Sequence, residues 1–265
     1  MSELHPQNHL PPLLEAREVT VRFGGLTAVD GVDAVFRAGE LVGIIGPNGA
    51  GKTTFFNAIS GVLQPTSGQL LADGRNLIGQ NPHRFAAHGI ARTFQTPRVF
   101  SEMSVRDNVE FGLKFAGRRP RKWVFWGPEA RVPWALRTPE SILDLIGLLH
   151  LSELPAAAIT PSQQRLLEIG MALATRPRLL LLDEVAAGLT ESELENMAQL
   201  IRRIRDELDL SVIWIEHAVT TLLRHVERVI VLHQGRKIAD ATPAEVVRNP
   251  DVIEAYLGDE MENAT

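Results

Sequence analysis

The sequence predicts an α/β core carrying an antiparallel β subdomain and an inserted helical subdomain, and three observations predict it. Near the amino terminus, segments that alternate apolar and polar residues are separated by glycine turns, the pattern of half-buried strands. The run LVGII (residues 41–45) is apolar throughout, as a strand buried on both faces requires, and it leads through a glycine-rich turn into a helix. After a middle section with helical periodicity, strands and helices alternate again to the carboxyl end, which is the order expected when a lobe interrupts an α/β core.

The first twelve residues, with His5, Pro6, Pro11 and Pro12, read as a loose tail, so the domain is expected over 13–258 with a second tail at 259–265. From Leu13, LLEAREVTVRF and VDAVFRAGELVGIIG read as strands joined by turns at Gly24–Gly25 and Ala38–Gly39. A helix is expected from about Lys52 to Val62 and a strand near Ala91–Phe94. The helical subdomain is expected over about 96–170, with helical periods at 104–115, 139–149 and 161–175. RLLLLDE, TESELENMAQLIRRIRDEL, SVIWIEH and RVIVLHQG then restore the alternation. The stretch from Gly117 to Arg137 holds three of the four tryptophans amid arginine and lysine. It reads first as a surface hairpin packed on the lobe, and second as an amphipathic patch for lipid headgroups or a membrane partner.

Composition bounds the function. A chain of 265 residues that is 45% hydrophobic can bury a full core as one domain. It has no cysteine, hence no disulfide or thiolate metal site, and no apolar run near the ~18 residues of a bilayer span. The amino terminus has no basic patch followed by an apolar run, and the net charge of −5 argues against nucleic acid as a partner. A cytoplasmic protein is expected, reaching a membrane only through partners.

GPNGAGKT, Gly46 to Thr53, fits the pattern G-x-x-x-x-G-K-[ST] between a buried strand and a helix. Glycines let the backbone curl so that successive N–H groups face phosphate oxygens, and the helix adds its positive end. Lys52 offsets β- and γ-phosphate charge, and Thr53 suits Mg²⁺; the core is therefore that of a P-loop NTPase. RLLLLDE delivers two carboxylates at a strand end. Asp183 is placed to hold Mg²⁺, and Glu184 to polarise the attacking water, with adjacent strand residues pointing opposite ways.

In this order, the segments resemble the ATP-binding subunit of ABC transporters over nearly the whole chain, from Leu13 to Gly258. The resemblance implies ATP and Mg²⁺ as cofactors and an ATPase activity. It assigns Gly46, Pro47, Asn48, Gly49, Ala50, Gly51, Lys52, Thr53 and Thr54 to the nucleotide, and Phe23 to the adenine ring. Gln95 in ARTFQ corresponds to the glutamine that senses Mg²⁺ and the γ-phosphate, and His217 in WIEH to the histidine that contacts the γ-phosphate. GIARTFQTPRVFSEMSV, LLEIGMALATRP, AAGLT and NPDVIEAYLG resemble the subunits that energise branched-chain amino acid uptake. FQTPRVF, LEIGM and VLHQG also resemble urea and short-amide importers, and lipid-export and non-transport ATPases share the catalytic motifs.

The resemblance also implies a second ATP-binding subunit, identical or different, and permease subunits. The chain would then sit peripherally on the cytoplasmic face of the inner membrane. One segment departs from the family. Where the family has Leu-Ser-x-Gly before Gln-Gln-Arg, completing the partner's ATP site, this chain has Ile159, Thr160, Pro161 and Ser162 before Gln163. Thr160 keeps a hydroxyl, but Pro161 removes a donor and Ser162 adds a Cβ. The same letters make a sound helix start, with Thr160 as cap and Pro161 in the first turn. Val185 for proline and Thr190 for aspartate are smaller departures. Whether Thr160, Ser162 and Gln163 still serve the partner's nucleotide, or only cap a helix, stays open at this stage.

Overall fold

The computed structural model describes residues 12–115, 133–185, 188–216 and 218–262. The expected features at His217 and over most of the Trp/Arg-rich stretch, like the amino-terminal tail before Pro12, lie outside them. Strands β1 (Pro12–Phe23), β2 (Leu26–Arg37), β4 (Ser67–Ala72) and β5 (Arg75–Asn76) form an antiparallel sheet in the order β2-β1-β4-β5. A second, six-stranded sheet has the order β10-β9-β3-β8-β7-β6, from β3 (Leu41–Ile45), β6 (Ile90–Arg92), β7 (Leu179–Asp183), β8 (Ser211–Ile215), β9 (Arg228–His233) and β10 (Arg236–Ala241). Its pairs are parallel except for β9 with β10. The carboxyl ends of β3, β6, β7 and β8 therefore share one edge, where ligands of open α/β sheets bind.

The central strands bury side chains on both faces, which explains why they read as unbroken apolar runs. Leu41, Ile45, Leu180, Leu182, Val212 and Trp214 join one core with α6 (Glu191–Leu208) and α7 (Val219–His225). Val42, Ile44, Leu179, Leu181, Ile213 and Ile215 join another, with the antiparallel sheet and α1 (Lys52–Ile59). Alternate residues of each strand thus hold two layers to one sheet.

Helix α2 (Pro82–Ala87) precedes β6, and between β6 and β7 lies the helical lobe, α3 (Val105–Phe115), α4 (Pro139–Leu145) and α5 (Pro161–Ala174). The helix expected to reach Val62 ends at Ile59, because Gly61 takes a left-handed φ of 76°. The one expected to reach Leu149 ends at Leu145, before Gly147 at φ 75°. Beyond β10 come α8 (Pro243–Val246) and α9 (Pro250–Glu262). At the chain ends the ordered elements run past the sequence boundaries. Pro12 of β1 pairs with Arg37 of β2, and α9 continues beyond Gly258 to Glu262.

Candidate functional site

The Gly46–Thr53 loop joins β3 to α1 and is held from outside by backbone. A Cβ at Gly46 would lie 2.1 Å from the Leu232 carbonyl oxygen, and one at Gly51 (φ 93°) 2.3 Å from that of Ala28. Only glycine permits this approach. The Gly235 amide donates to the Ala50 carbonyl at 3.1 Å, and the Asp30 amide to the Gly235 carbonyl at 2.8 Å, so β2 and the β9–β10 turn buttress the loop. Lys52 is 5% exposed, and its ammonium donates to the Gly46 and Pro47 carbonyls at 2.7 and 2.8 Å. Pro47 and Ala50 are buried, while Asn48, Gly49 and Thr53 face solvent and Thr54 is half-buried. At the amino end of α1 the first-turn N–H groups lie beyond the reach of the helix's own ladder and, with the helix's positive end, suit an anion. Tyr256 of α9 reaches the same loop. Burial, against the pull of the Gly46 backbone amide, pushes its phenol up to about 12.

Asp183 ends β7, Glu184 follows it, and the two go separate ways for a reason the strand pattern did not supply. Glu184 leaves the strand at a left-handed φ of 48°, so a turn separates the two carboxylates, not strand alternation. Asp183 pairs with Arg92 of β6 at 2.7 Å, both nearly buried. Burial pushes the Asp183 carboxyl above the usual range, Arg92 opposes this, and Glu184 adds to it. Glu184 is 7% exposed and accepts from the Gln95 side-chain amide at 2.7 Å. The sheet order places β7 beside β6 and one strand away from β3, which brings the Gln95 segment and both carboxylates to the edge that carries the phosphate loop.

The turn before α5 is a complete capping box. The Gln163 amide donates to Thr160 Oγ1 at 3.3 Å, and the Thr160 amide donates to Gln163 Oε1 at 2.9 Å. Thr160 and Ser162 hydroxyls lie 3.1 Å apart. Thr190 and Glu193 build the same box at α6. Phe23 ends β1 and is 51% exposed, available to a flat ring.

Three charged side chains at the site were not singled out from sequence. Arg92 donates to Asn57 and Ser60 of the α1 region at 2.8 and 2.7 Å as well as to Asp183, tying α1, β6 and β7 together. Arg165 of α5 donates to the backbone carbonyls of Glu184 and Gln95. Glu168, one turn on, accepts from the Phe94 and Arg98 amides. The available signal was a charge inside an otherwise apolar run, as in LLEIGMALA.

Residues 29–187 match the family described as ABC transporter, and 236–262 match the branched-chain amino acid ATP-binding cassette transporter family. The chain is 38% identical to BraF of Pseudomonas aeruginosa, described as a high-affinity branched-chain amino acid transport ATP-binding protein, over 94% of this chain and 98% of that one. It is 37% identical to the Escherichia coli (strain K12) protein LivG, described in the same words, with the same coverage. The ADP conformation of MJ1267, an ATP-binding cassette of an ABC transporter, superposes with a TM-score of 0.78 at 28% identity, covering 94% of this chain and 99% of that one. A motif set in the right order, a parallel sheet that gathers it on one edge, and relatives aligned end to end lead to one conclusion: this chain belongs to the ABC transporter ATPases, among the branched-chain amino acid transport ATP-binding proteins.

Proposed function

We propose that the chain binds and hydrolyses ATP to energise uptake of branched-chain amino acids, paired with a second ATP-binding subunit beneath permease subunits on the cytoplasmic face. The observation that carries the site reading is the 2.7 Å hydrogen bond from Gln95 to Glu184 beside an intact phosphate loop. In this reading Glu184 positions and polarises the attacking water, and Gln95 holds that carboxylate until nucleotide arrives. Lys52 and the N–H groups of the Gly46–Thr54 loop, other than that of Pro47, hold the phosphates, Phe23 stacks on adenine, and His217 contacts the γ-phosphate.

The donor set fits Mg²⁺. Among the described residues Asp183 Oδ1 is buried with no hydrogen-bond partner, an oxygen suited to a hard cation, and Thr53 and Gln95 would complete an oxygen set. When bound, Mg²⁺ offsets charge on the β- and γ-phosphate oxygens. Phe100, Phe111 and Phe115 form an exposed aromatic chain, with centroids 4.7 and 5.1 Å apart, on the lobe just after the Gln95 segment. An apolar patch of this kind suits a permease contact. The solute assignment follows the relatives, with the urea and short-amide importers as the alternative.

The test is uptake by the complex reconstituted in vesicles. Leucine, isoleucine or valine should accumulate with ATP, and Glu184→Gln should stop uptake while ATP still binds. Accumulation of urea or acetamide instead would overturn the solute assignment.

A further inference from the structure

We propose that Glu168 is a positioning residue for ATP hydrolysis, holding the Gln95 segment against helix α5. The proposal rests on the reading that Gln95 and Glu184 act together. Glu168 sits in the middle of α5 and is 5% exposed. Its Oε1 accepts from the amides of Phe94 at 3.2 Å and Arg98 at 3.1 Å, which flank Gln95 on both sides. Residues 94–98 belong to no helix or strand, so these two amides depend on a side chain for their acceptor. Arg165, one turn earlier on the same helix, reaches the Gln95 carbonyl at 3.4 Å and the Glu184 carbonyl. One helix thus grips the segment before, at and after Gln95.

The choice of glutamate here is costly, and the cost argues for a task. Among the described residues, Oε2 is buried without a hydrogen-bond partner. Burial outweighs the two amides and the nearby cations Arg165 and Arg98, with Arg92 on β6 also close, and pushes the carboxyl up to about 7. A leucine at this place would fill the core without that penalty, as Leu167 and Ile169 do beside it. What a leucine lacks is an acceptor for two amides at once. The Gln95 side chain spans 2.7 Å to Glu184 from a backbone with no lattice of its own, so its reach depends on where that backbone is pinned.

Three variants of the full-length chain test this: Glu168→Leu, Glu168→Gln and Gln95→Ala. Leucine keeps volume and removes the acceptor, whereas glutamine keeps one acceptor oxygen and so should rescue. In the purified chain, amide hydrogen exchange over residues 94–98 should accelerate about tenfold in Glu168→Leu and little in Glu168→Gln. ATP affinity should stay as in the unaltered chain, because the phosphate loop is untouched. In the assembled complex kcat should fall about tenfold in Glu168→Leu, and Glu168→Leu should add nothing in a Gln95→Ala background. Unaltered exchange in Glu168→Leu would overturn the proposal, and so would an equal loss of kcat with and without Gln95. If Gln95→Ala alone keeps full kcat while exchange still responds to Glu168→Leu, the grip is real but the reading of Gln95 fails, and the proposed role in hydrolysis falls with it.

Discussion

Replacing Arg92 by methionine should destabilise the nucleotide-free chain by about 3–5 kcal/mol, the cost of stranding one member of a buried ion pair. Arg92 and Asp183 expose only 10% and 5% of their side chains and meet at 2.7 Å. The guanidinium also donates to Asn57, to Ser60 and to the Thr93 carbonyl, and it lies 5.1 and 4.8 Å from the rings of Phe56 and Phe94. Methionine replaces much of the stem and its ring contacts but none of the donors. Asp183 is then buried beside Glu184 without a counterion, and its carboxyl, already raised by burial, rises further. The sign of the pH dependence follows. A carboxyl whose folded pKa lies above its unfolded value costs stability as pH rises, so the deficit should be larger at pH 8 than at pH 5. Urea unfolding at both pH values measures it, and the double variant Arg92→Met/Asp183→Asn should recover much of the loss by removing the stranded charge. A deficit under about 1 kcal/mol, or no recovery in the double variant, would refute the argument that this pair is what holds α1, β6 and β7 together.

Lys52→Ala should weaken ATP binding by at least about tenfold, or about 1.4 kcal/mol, in a titration, because it removes the ammonium, held at the Gly46 and Pro47 carbonyls, that is proposed to offset phosphate charge. Gly51→Ala should cost about 2–4 kcal/mol in unfolding experiments and lose nucleotide binding as well, since the methyl meets the Ala28 carbonyl at 2.3 Å and the backbone is left-handed. For Glu168, a rise from 4.5 in the unfolded chain to about 7 in the fold should remove about 3 kcal/mol of stability between pH 4 and 8, and Glu168→Gln should flatten that slope in urea midpoints. Thr160→Ser with Ser162→Gly should raise hydrolysis at the partner's site if the altered turn limits it, measured by single-site turnover. No rise would make the capping box the whole role of these residues.

The sequence alone determined the features that depend on local chemistry. Glycine spacing with Lys52 and Thr53 marks a phosphate loop wherever a strand feeds a helix. The runs LVGII, RLLLL and SVIWI mark strands buried on both faces. Thr160, Pro161 and Gln163 spell a helix start that the tertiary structure left intact. Helix ends at Ile59 and Leu145 were less legible, because a periodic pattern continues past the glycine that stops the helix. Only the tertiary structure decided which groups meet. Strand order put β6 next to β7, and that adjacency made Arg92 the counterion of Asp183 across 91 residues of chain. A left-handed turn at Glu184, which no residue preference announces, aimed its carboxylate at Gln95. Glu168 reads in sequence as a stray charge on an apolar helix. Its meaning came from the fold, because an acceptor is defined by the amides brought to it, and those lie 70 and 74 residues away.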